Sequence, residues 1–237
     1  MFFSIIIPLY NEEKRLPKNA NRIFDFFKNF SCANEIIFVN DGSTDNTLNI
    51  LKDYQKNNNF EIVSYEVNHG KGYAVRQGVK RAKGDALVFF DVDLAVPLEK
   101  MDDLVKNVLP DDKVIIGSRR LELSAIKRSE PKLRTFLGQG FTKLSNILVP
   151  GVTDFTCGFK CFTKDAAQSI FGVARIDRWG FDTELLYIAK LKKLRIREIP
   201  VSWTHDSDSR VDILQSIKSS LKELLEIKMN QIKGCYK

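Results

Sequence analysis

The sequence predicts an α/β fold, a doubly wound and mostly parallel sheet with helices on both faces. Over the first 110 residues, short runs rich in apolar and β-branched residues alternate with segments of helix length. A length of 237 residues and a hydrophobic content of 43% suit one α/β domain with a sizeable core. Because the sequence contains no internal repeat, low-complexity tract or clear linker, we expect a single domain over residues 1–237.

The first half supplies the regular alternation of strands and helices. Its predicted strands are FFSIIIPL, EIIFVN, EIVSYEV, ALVFF and KVIIGS. Pro17 and Pro97 lie near predicted helix starts, Thr44 has the residue type of an N-cap, and a glycine-led helix is predicted from Gly70 to Lys83. This layout is typical of nucleotide-binding folds, so we predict that residues 1–117 form a nucleotide-binding half.

The pattern changes after Gly117. The basic segment SRRLELSAIKRSEPKLR is interpreted as an insertion in the same domain, and a helix is predicted from Lys132 to Val149. A strand (DFTCGFKCF), a helix (WGFDTELLYIAKLKK), a strand (IREIPVSW) and a last, amphipathic helix from Val211 to Ile232 follow. For that last helix, packing against the domain is favoured over lying on a bilayer surface. The residues of its predicted apolar side are Ile213, Leu214, Ile217, Leu221, Leu224, Leu225 and Ile232.

Charge and cysteine content narrow the classes of partner and compartment. A formal net charge of +7 favours ligands that carry phosphate, whether nucleotide, nucleic acid or anionic lipid. Of the four cysteines, only Cys157 and Cys161 are close in sequence, and they lack the second ligand pair of a zinc site, so reduced thiols are expected. The sequence has no run of about 18 uncharged apolar residues and no secretory leader. We therefore expect a cytosolic protein without a membrane-spanning helix.

Two aspartates end the predicted strand ALVFF. Ligands of open α/β sheets bind beyond the carboxyl ends of the strands, where Asp91 and Asp93 fall. Two carboxylates at alternate positions suit Mg²⁺ or Mn²⁺, which keeps waters and bridges to substrate phosphates. Such a cation stabilises the charge of a departing nucleoside diphosphate. The alternative for an Asp-x-Asp triplet is a solvated turn.

Other polar residues follow the first two predicted strands and are expected at the same sheet edge. Tyr10 can stack on or line a base, and Asp41 can accept hydrogen bonds from the base or ribose. For Glu12 and Asp41, helix capping and turn chemistry are the alternative. The candidate nucleotide-binding residues at these two strand ends are Pro8, Tyr10, Asn11, Glu12, Asp41 and Gly42.

The stretch NHGKGYAVRQG places Lys71 at a predicted helix start, where backbone N–H groups attract phosphate. The sequence has neither GxxxxGK[ST] nor a complete GxGxxG. These absences argue against ATP hydrolysis by a P-loop and against nicotinamide binding.

Together these motifs resemble the family two glycosyltransferases, which have the GT-A fold. The resemblance is carried by SIIIPLYNEE, VNDGSTDNT, NHGKGYAVRQG and FDVDLAVP. The second half is similar to eukaryotic dolichyl-phosphate glucosyltransferases through GSR, DFTCGFKCF, DRWGFDTELLYIAK and IPVSWTH. The resemblance implies a nucleotide pocket at Pro8, Tyr10, Glu12, Asp41 and Lys71 and a metal site at Asp91 and Asp93. Related mannose synthases often place an amide ligand where this chain has Ala95, which implies a metal shell with more water.

The resemblance also implies the reaction. A hexose, glucose from UDP-glucose, is expected to pass in one inverting displacement to a polyprenyl phosphate such as dolichyl phosphate. Many relatives carry membrane anchors that this sequence does not show, so the implied membrane contact is peripheral, on the cytoplasmic face. Residues 118–237 are expected to bind the acceptor.

Physical chemistry favours cations over a general base for such an acceptor. A phosphate monoester, with a second pKa of about 6, is already anionic at neutral pH. Arg119, Arg128 and Arg134 offer the fork geometry that phosphate oxygens prefer, with a solvated basic loop as the alternative. His205 and Arg210 lie in a polar loop that could fold over the diphosphate. The side chains of the helix from residue 132 to 149 suit either a groove for a prenyl chain or ordinary core packing.

A hydroxyl acceptor would instead need a positioned base. Asp182 and Glu184 are the candidates for that base, or else they cap and orient their helix. A transferase that builds a polysaccharide or glycoconjugate is therefore the alternative function. A binding module or nucleic-acid binder is disfavoured, because the sequence lacks a recognisable RNA-binding pattern of aromatic and lysine residues.

Overall fold

A computed structural model describes residues 1–107, 112–124, 126–128, 132–204 and 213–237. At 106–107, 126–128, 132–137 and 213–221 it describes the backbone alone. The strands are β1 (Phe2–Leu9), β2 (Ala33–Asp41), β3 (Glu61–Tyr65), β4 (Ala86–Phe89), β5 (Val114–Ser118), β6 (Ile126–Arg128), β7 (Lys160–Thr163), β8 (Ile196–Pro200) and β9 (Trp203–Thr204). The helices are α1 (Leu16–Lys28), α2 (Thr47–Gln55), α3 (Lys71–Arg81), α4 (Lys100–Asn107), α5 (Lys132–Leu148), α6 (Lys164–Phe171), α7 (Phe181–Leu191) and α8 (Ile213–Ile232).

Seven strands form one sheet in the order β3-β2-β1-β4-β7-β5-β8. All pair in parallel except β7, which lies antiparallel between β4 and β5. The chain builds outward from β1 to β3 and then returns to place β4 on the other side of β1. This reversal of strand order is a topological switch point, where open α/β sheets bind ligands. The predicted doubly wound, mostly parallel sheet is confirmed.

Helices cover both faces of the sheet, as predicted. On one face, α1, α2 and α4 bury their apolar sides against alternate residues of β1, such as Ile5 and Ile7. On the other face, α3, α6, α7 and part of α8 pack around Ile6 and Phe89. Because successive side chains of a strand point to opposite faces, a strand buried on both faces is apolar along nearly its whole length. That explains runs such as SIIIPL and ALVFF.

Some predicted boundaries differ from the structure. The N-cap of α2 is Asn46 and not the predicted Thr44, and the helix begins at Thr47, whose backbone N–H and hydroxyl donate to Asp45 Oδ1. Of the predicted strand DFTCGFKCF, the part before Lys160 is a loop fixed by side-chain hydrogen bonds. The helix α6 follows directly and was not predicted.

The packed side of the amphipathic helix α8 agrees with the predicted one at Leu224 but not at Leu225 and Ile232. The side chains of the other predicted members, Ile213, Leu214, Ile217 and Leu221, lie outside the described part of the chain. Leu224 and Ile227 are buried against α7, whereas Leu225, Met229 and Ile232 are exposed. Leu225 is 71% exposed and Ile232 is 70% exposed, so these two do not belong to the packed side. Within the ranges given above, every helix is too short or too polar to cross a bilayer.

We expect Gly78→Ala to destabilise the protein by about 1–3 kcal/mol, the usual effect of overpacking. Gly78 lies in α3 where the helix crosses β1, and an added Cβ would overlap Ile6 Cγ2 and lie 3.1 Å from Val39 Cγ2. Gly140→Ala in α5 is the matched control, because among the described residues no atom outside its own helix backbone lies within 4 Å of an added Cβ there. That change should stabilise by about 0.5–1 kcal/mol. Urea unfolding measures both, and equal effects at the two positions would contradict the packing argument.

Candidate active site

The candidate site lies at the carboxyl edge of the sheet. Parallel β1, β2, β4, β5 and β8 all end there, and the antiparallel β7 begins there. The topology therefore brings to one edge the segments that follow Leu9, Asp41, Phe89 and Ser118, together with the loop that precedes Lys160. Most of the sequence-predicted site residues belong to these segments.

The turns after β1 and β2 are bonded to each other. Asn11 has the left-handed φ of 55°, its side-chain Oδ1 accepts from the Thr44 N–H at 2.8 Å, and its own N–H donates to Ser43 Oγ at 3.0 Å. The Glu12 N–H donates to Thr47 Oγ1 at 2.8 Å. Tyr10, at the top of this paired turn, is 47% exposed, and its ring is accessible to a flat ligand.

Asp41 is buried and organises the loop that leads into α3. Its carboxylate accepts from Asn68 Nδ2 at 2.7 Å and from the backbone N–H groups of His69 and Gly70 at 3.0 and 2.8 Å. Gly42 next to it has a φ of +63°, and an added Cβ would lie 2.5 Å from the Val67 carbonyl carbon. The turn chemistry considered for Asp41 is thus present in the structure, and it fixes the start of the helix that carries Lys71.

Lys71, Asp91 and Asp93 form a compact charged group. Lys71 is the first residue of α3, and its Nζ lies 2.5 Å from Asp91 Oδ1. Burial opposes the charged form of Lys71, but the charges of Asp91 and Asp182 outweigh it, so the lysine pKa is raised. Burial and the neighbouring charge of Asp91 raise the pKa of Asp93. Asp93 is held by the Ala95 N–H, which donates to its Oδ1 at 3.0 Å.

The Asp91–Asp93 pair fits a divalent cation with an incomplete protein shell. Two partly desolvated carboxylates repel each other, and this repulsion is what a cation would relieve. Within the described ranges, no group of three or more His, Cys, Asp or Glu side chains is placed to hold a metal. Waters and substrate phosphates would therefore complete the coordination, as is usual for Mg²⁺.

Gly158 is required for the position of Asp91. An added Cβ on Gly158 would overlap Asp91 Oδ2 and lie 2.9 Å from Asp91 Cγ. The loop before β7 therefore packs its bare backbone against the carboxylate. Sequence analysis did not single out this glycine, although it stands in the motif CGFK.

Asp182 is paired with a buried lysine that sequence analysis also missed. Lys160 is fully buried, and its Nζ donates to Asp182 Oδ1 at 2.6 Å and to the carbonyl oxygens of Phe155 and Cys157 at 3.0 and 2.6 Å. Burial raises the pKa of Asp182, and the charges of Lys160 and Lys71 oppose that shift. The sequence does contain a signal for this residue: in FKCF a lysine stands between apolar residues of a buried strand. A charge at such a position indicates a buried partner.

Arg119, which follows β5, is paired with Asp154 in the loop before β7. Its Nε donates to Asp154 Oδ2 at 2.7 Å, its Nη2 donates to Oδ1 at 2.8 Å, and its guanidinium lies 5.3 Å from the Trp203 ring centre. Burial would raise the pKa of Asp154, but the bonds and charge of Arg119 outweigh it and leave that pKa lowered. Glu198 accepts from the N–H groups of Thr153 and Asp154 and fixes the start of the loop.

Glu184 is a structural residue rather than a free carboxylate facing the edge. It accepts from the N–H groups of Arg175 and Ile176 and from the Tyr236 hydroxyl, which joins the α6–α7 loop to the C-terminal segment. It neither caps α7, whose N-cap is Gly180, nor stands beside Lys71. This arrangement supports the orienting role considered for it.

The other predicted cationic residues are described in part or not at all. Arg128 ends β6, which pairs with β9, and Arg134 lies in the first turn of α5; only their backbones are described. Arg128 pairs in register with Thr204, whose N–H donates to the Ala95 carbonyl at 3.0 Å. The backbone of Arg128 is therefore close to the loop that follows Asp93. Arg210 and His205 lie outside the described residues.

The chain belongs to glycosyl transferase family 2, whose family model matches residues 4–171. It is an enzyme of the hexosyltransferase class with the GT-A fold.

Several curated relatives match nearly the whole chain. It is 34% identical to a dolichyl-phosphate beta-glucosyltransferase of Trichomonas vaginalis, over 96% of this chain and 71% of the relative. It is 34% identical to the human protein of that description, over 99% of this chain and 77% of the relative. It is 36% identical to the Saccharomyces cerevisiae protein of that description, over 100% of this chain and 77% of the relative.

Solved structures share the fold at low sequence identity. Glucosyl-3-phosphoglycerate synthase from Mycobacterium tuberculosis in complex with UDP gives a TM-score of 0.72 at 18% identity, covering 95% of this chain and 79% of that one. The same enzyme in complex with Mn²⁺, UDP and glucosyl-3-phosphoglycerate gives a TM-score of 0.69 at 17% identity, with the same coverage of both chains.

We expect Lys160→Met to destabilise the protein by about 3–5 kcal/mol, because it leaves the Asp182 carboxylate buried without its partner. The double variant, Lys160→Met with Asp182→Asn, should lose less free energy of unfolding than the sum of the two single losses. We expect a coupling free energy of about 0.5–3 kcal/mol between the two positions. Urea unfolding of the four proteins in the cycle measures this coupling.

Lys164→Met is the matched control for this cycle. Lys164 is an exposed lysine at the start of α6, and its replacement should change stability by less than about 0.5 kcal/mol. Strictly additive losses for Lys160 and Asp182 would show that the pair does not act as a unit.

Proposed function

We propose that this enzyme transfers glucose from UDP-glucose to a polyprenyl phosphate such as dolichyl phosphate, with inversion at the anomeric carbon and with help from Mg²⁺ or Mn²⁺. The names of the curated relatives support the sugar and the acceptor. The observation that carries the proposal is the charged group at the carboxyl edge, where Lys71 meets the Asp91–Asp93 pair beside the switch point of the sheet.

The donor is assigned to the first half, residues 1–117. The exposed ring of Tyr10 is placed to stack on uracil, and Pro8, Asn11, Glu12 and Gly42 shape the two bonded turns around it. Asp41 stabilises this pocket indirectly, because its carboxylate accepts a hydrogen bond from the Gly70 N–H in the loop before α3. Lys71, at the start of α3, adds an ammonium group to the phosphate-binding end of a helix.

Asp91 and Asp93 are assigned as the cation ligands. When bound there, Mg²⁺ or Mn²⁺ supplies Lewis-acid stabilisation to the departing UDP. The residues of the chain do the rest: the Ala95 N–H holds Asp93, and Gly158 keeps Asp91 at the strand end. An acceptor phosphate that attacks from the opposite face gives inversion without a covalent enzyme intermediate.

The acceptor is assigned to the second half, residues 118–237. Because Asp154 already balances the charge of Arg119, we assign Arg119 to shaping the acceptor loop. Arg128 and Arg134 are the proposed ligands of the acceptor phosphate, and the pairing of β6 with β9 brings the backbone of Arg128 towards the Asp93 loop. Arg210 is proposed to face the donor diphosphate.

The state of Asp182 supports a phosphate acceptor over a hydroxyl. A general base must reach the proton that it removes. Asp182 is only 6% exposed, and its Oδ1 is bonded to the Lys160 ammonium, so it is poorly placed for that task. An acceptor that is already anionic needs no such base.

A peripheral membrane contact on the cytoplasmic face completes the proposal. The neighbouring helices α5 and α8 expose apolar side chains to solvent, among them Ile147, Leu225 and Ile232. Exposed apolar residues beside lysines suit the interface of a bilayer with anionic lipids. The four cysteines are unpaired, which agrees with a reducing compartment.

The reaction is tested with radiolabelled UDP-glucose and a short polyprenyl phosphate in detergent with Mn²⁺. We expect an organic-extractable product that EDTA abolishes and that does not form from the matching polyprenol. Asp93→Asn should lower kcat by about a thousandfold, since it removes one cation ligand. Asp53→Asn, at an exposed carboxylate in α2, is the matched control and should keep wild-type kcat.

The two arms of this test have different consequences. Transfer to the polyprenol but not to its phosphate would contradict the acceptor. Near wild-type turnover of Asp93→Asn would contradict the cation site.

Membrane contact is tested by flotation with vesicles that contain anionic lipid. Leu225→Ser with Ile232→Ser should weaken vesicle binding by at least about tenfold, because burial of one such side chain stabilises by about 1.5–3 kcal/mol. Leu123→Ser is the matched control, since Leu123 is 85% exposed in a segment outside α5 and α8. Equal binding of all three proteins would contradict the proposed surface.

A further inference from the structure

Lys71 and a cation at Asp91 require the same carboxylate oxygen. The Nζ of Lys71 lies 2.5 Å from Asp91 Oδ1, and Asp91 Oδ2 lies against the backbone of Gly158, where even a methyl group would overlap it. The loop before β7 therefore crowds one oxygen of Asp91, and the ammonium group is bonded to the other.

We propose that Lys71 is a built-in counter-ion of the Asp91–Asp93 pair, which moves off Asp91 when a cation binds and then bonds to the diphosphate of the donor. This inference rests on the proposed function, because it takes Asp91 and Asp93 as the cation ligands.

The first step of the argument is charge balance. Asp91 and Asp93 are two residues apart on one short turn, and their like charges repel. The Lys71 ammonium, in ion-pair contact with Asp91, offsets part of that repulsion. A dication brought to Asp91 Oδ1 would meet this ammonium at close range, where like charges repel strongly in a partly desolvated site. Cation and lysine are thus competitors for one oxygen.

The second step is the destination of the lysine. Lys71 is the first residue of α3, and the Asp41 carboxylate fixes the backbone just before it. The ammonium stands on a flexible four-carbon stem, so it can turn while the backbone stays in place. Helix starts attract phosphate, so a diphosphate bound there would offer the displaced ammonium a new partner.

Cation binding and nucleotide binding should therefore support each other through Lys71. Without a nucleotide, a cation must break the Lys71–Asp91 ion pair with no replacement for it. With a diphosphate present, the ammonium gains a new ion pair as it leaves. This coupling comes in addition to the direct bonds between the cation and the phosphate oxygens.

The test is titration with Mn²⁺, followed by the paramagnetic resonance signal of the free ion, with and without UDP. Lys71→Met should raise the affinity for Mn²⁺ in the absence of UDP by about tenfold or more, because it removes the competing charge. Lys71→Arg keeps the charge and should bind Mn²⁺ like the wild type.

Lys80→Met is the matched control for net charge. Lys80 is exposed on the same helix, about 13 Å along its axis from Lys71, so its removal should leave Mn²⁺ affinity unchanged. Circular dichroism of each variant checks that the fold is retained.

Two further variants separate failure of this inference from failure of the proposed site. If Lys71→Met binds Mn²⁺ no tighter than the wild type without UDP, while Asp91→Asn and Asp93→Asn lose UDP-dependent Mn²⁺ binding, the counter-ion role is wrong and the cation site stands. If both aspartate variants bind Mn²⁺ like the wild type in the presence of UDP, the cation site is wrong and the counter-ion role fails with it.

Discussion

The ammonium group of Lys160 is fully buried and donates to three oxygens that belong to two distant segments. Two are carbonyl oxygens of the loop before β7, and the third is the Asp182 carboxylate at the start of α7. The same loop places Gly158 against Asp91 and Asp154 against Arg119. A buried charge is stable only when it is paired and hydrogen-bonded. Much of the geometry of the carboxyl edge therefore depends on this one group.

Three acids and two lysines lie close to one another along the edge. Asp93 and Asp91 are followed by Lys71, and beyond it by the Asp182–Lys160 pair. These five groups carry a formal charge of −1, and each acid except Asp93 has an ammonium in contact with it. A dication and a diphosphate can enter together with little change in net charge, whereas either alone would leave the edge unbalanced. This charge balance is what the proposed joint binding of a cation and a donor diphosphate requires of the edge.

The sequence predicted the parts of the fold that depend on local pattern. Apolar runs buried on both faces identified β1, β2, β4 and β5, and the predicted bounds of β1 match the structure. A strand was predicted in DFTCGFKCF, which overlaps β7, but its antiparallel position between β4 and β5 could not be predicted, because that pairing joins segments far apart in the chain. Part of the site was predictable, because the carboxyl ends of parallel strands meet at one edge of the sheet. Asp41 and Asp91 were therefore expected at the same edge. The role of Lys160 was not predicted, because its hydrogen-bond partners come from a loop and from a helix start whose positions in the sequence follow no common spacing.

The same burial that hides Lys160 bears on the chemistry of the acceptor. In an inverting transfer to a hydroxyl, the base must reach the acceptor proton, and Asp182 is buried with its Oδ1 bonded to the Lys160 ammonium. An acceptor that arrives as a dianion requires no change of charge from any side chain. It needs only cations around it, which is the role that we propose for the arginines of the second half.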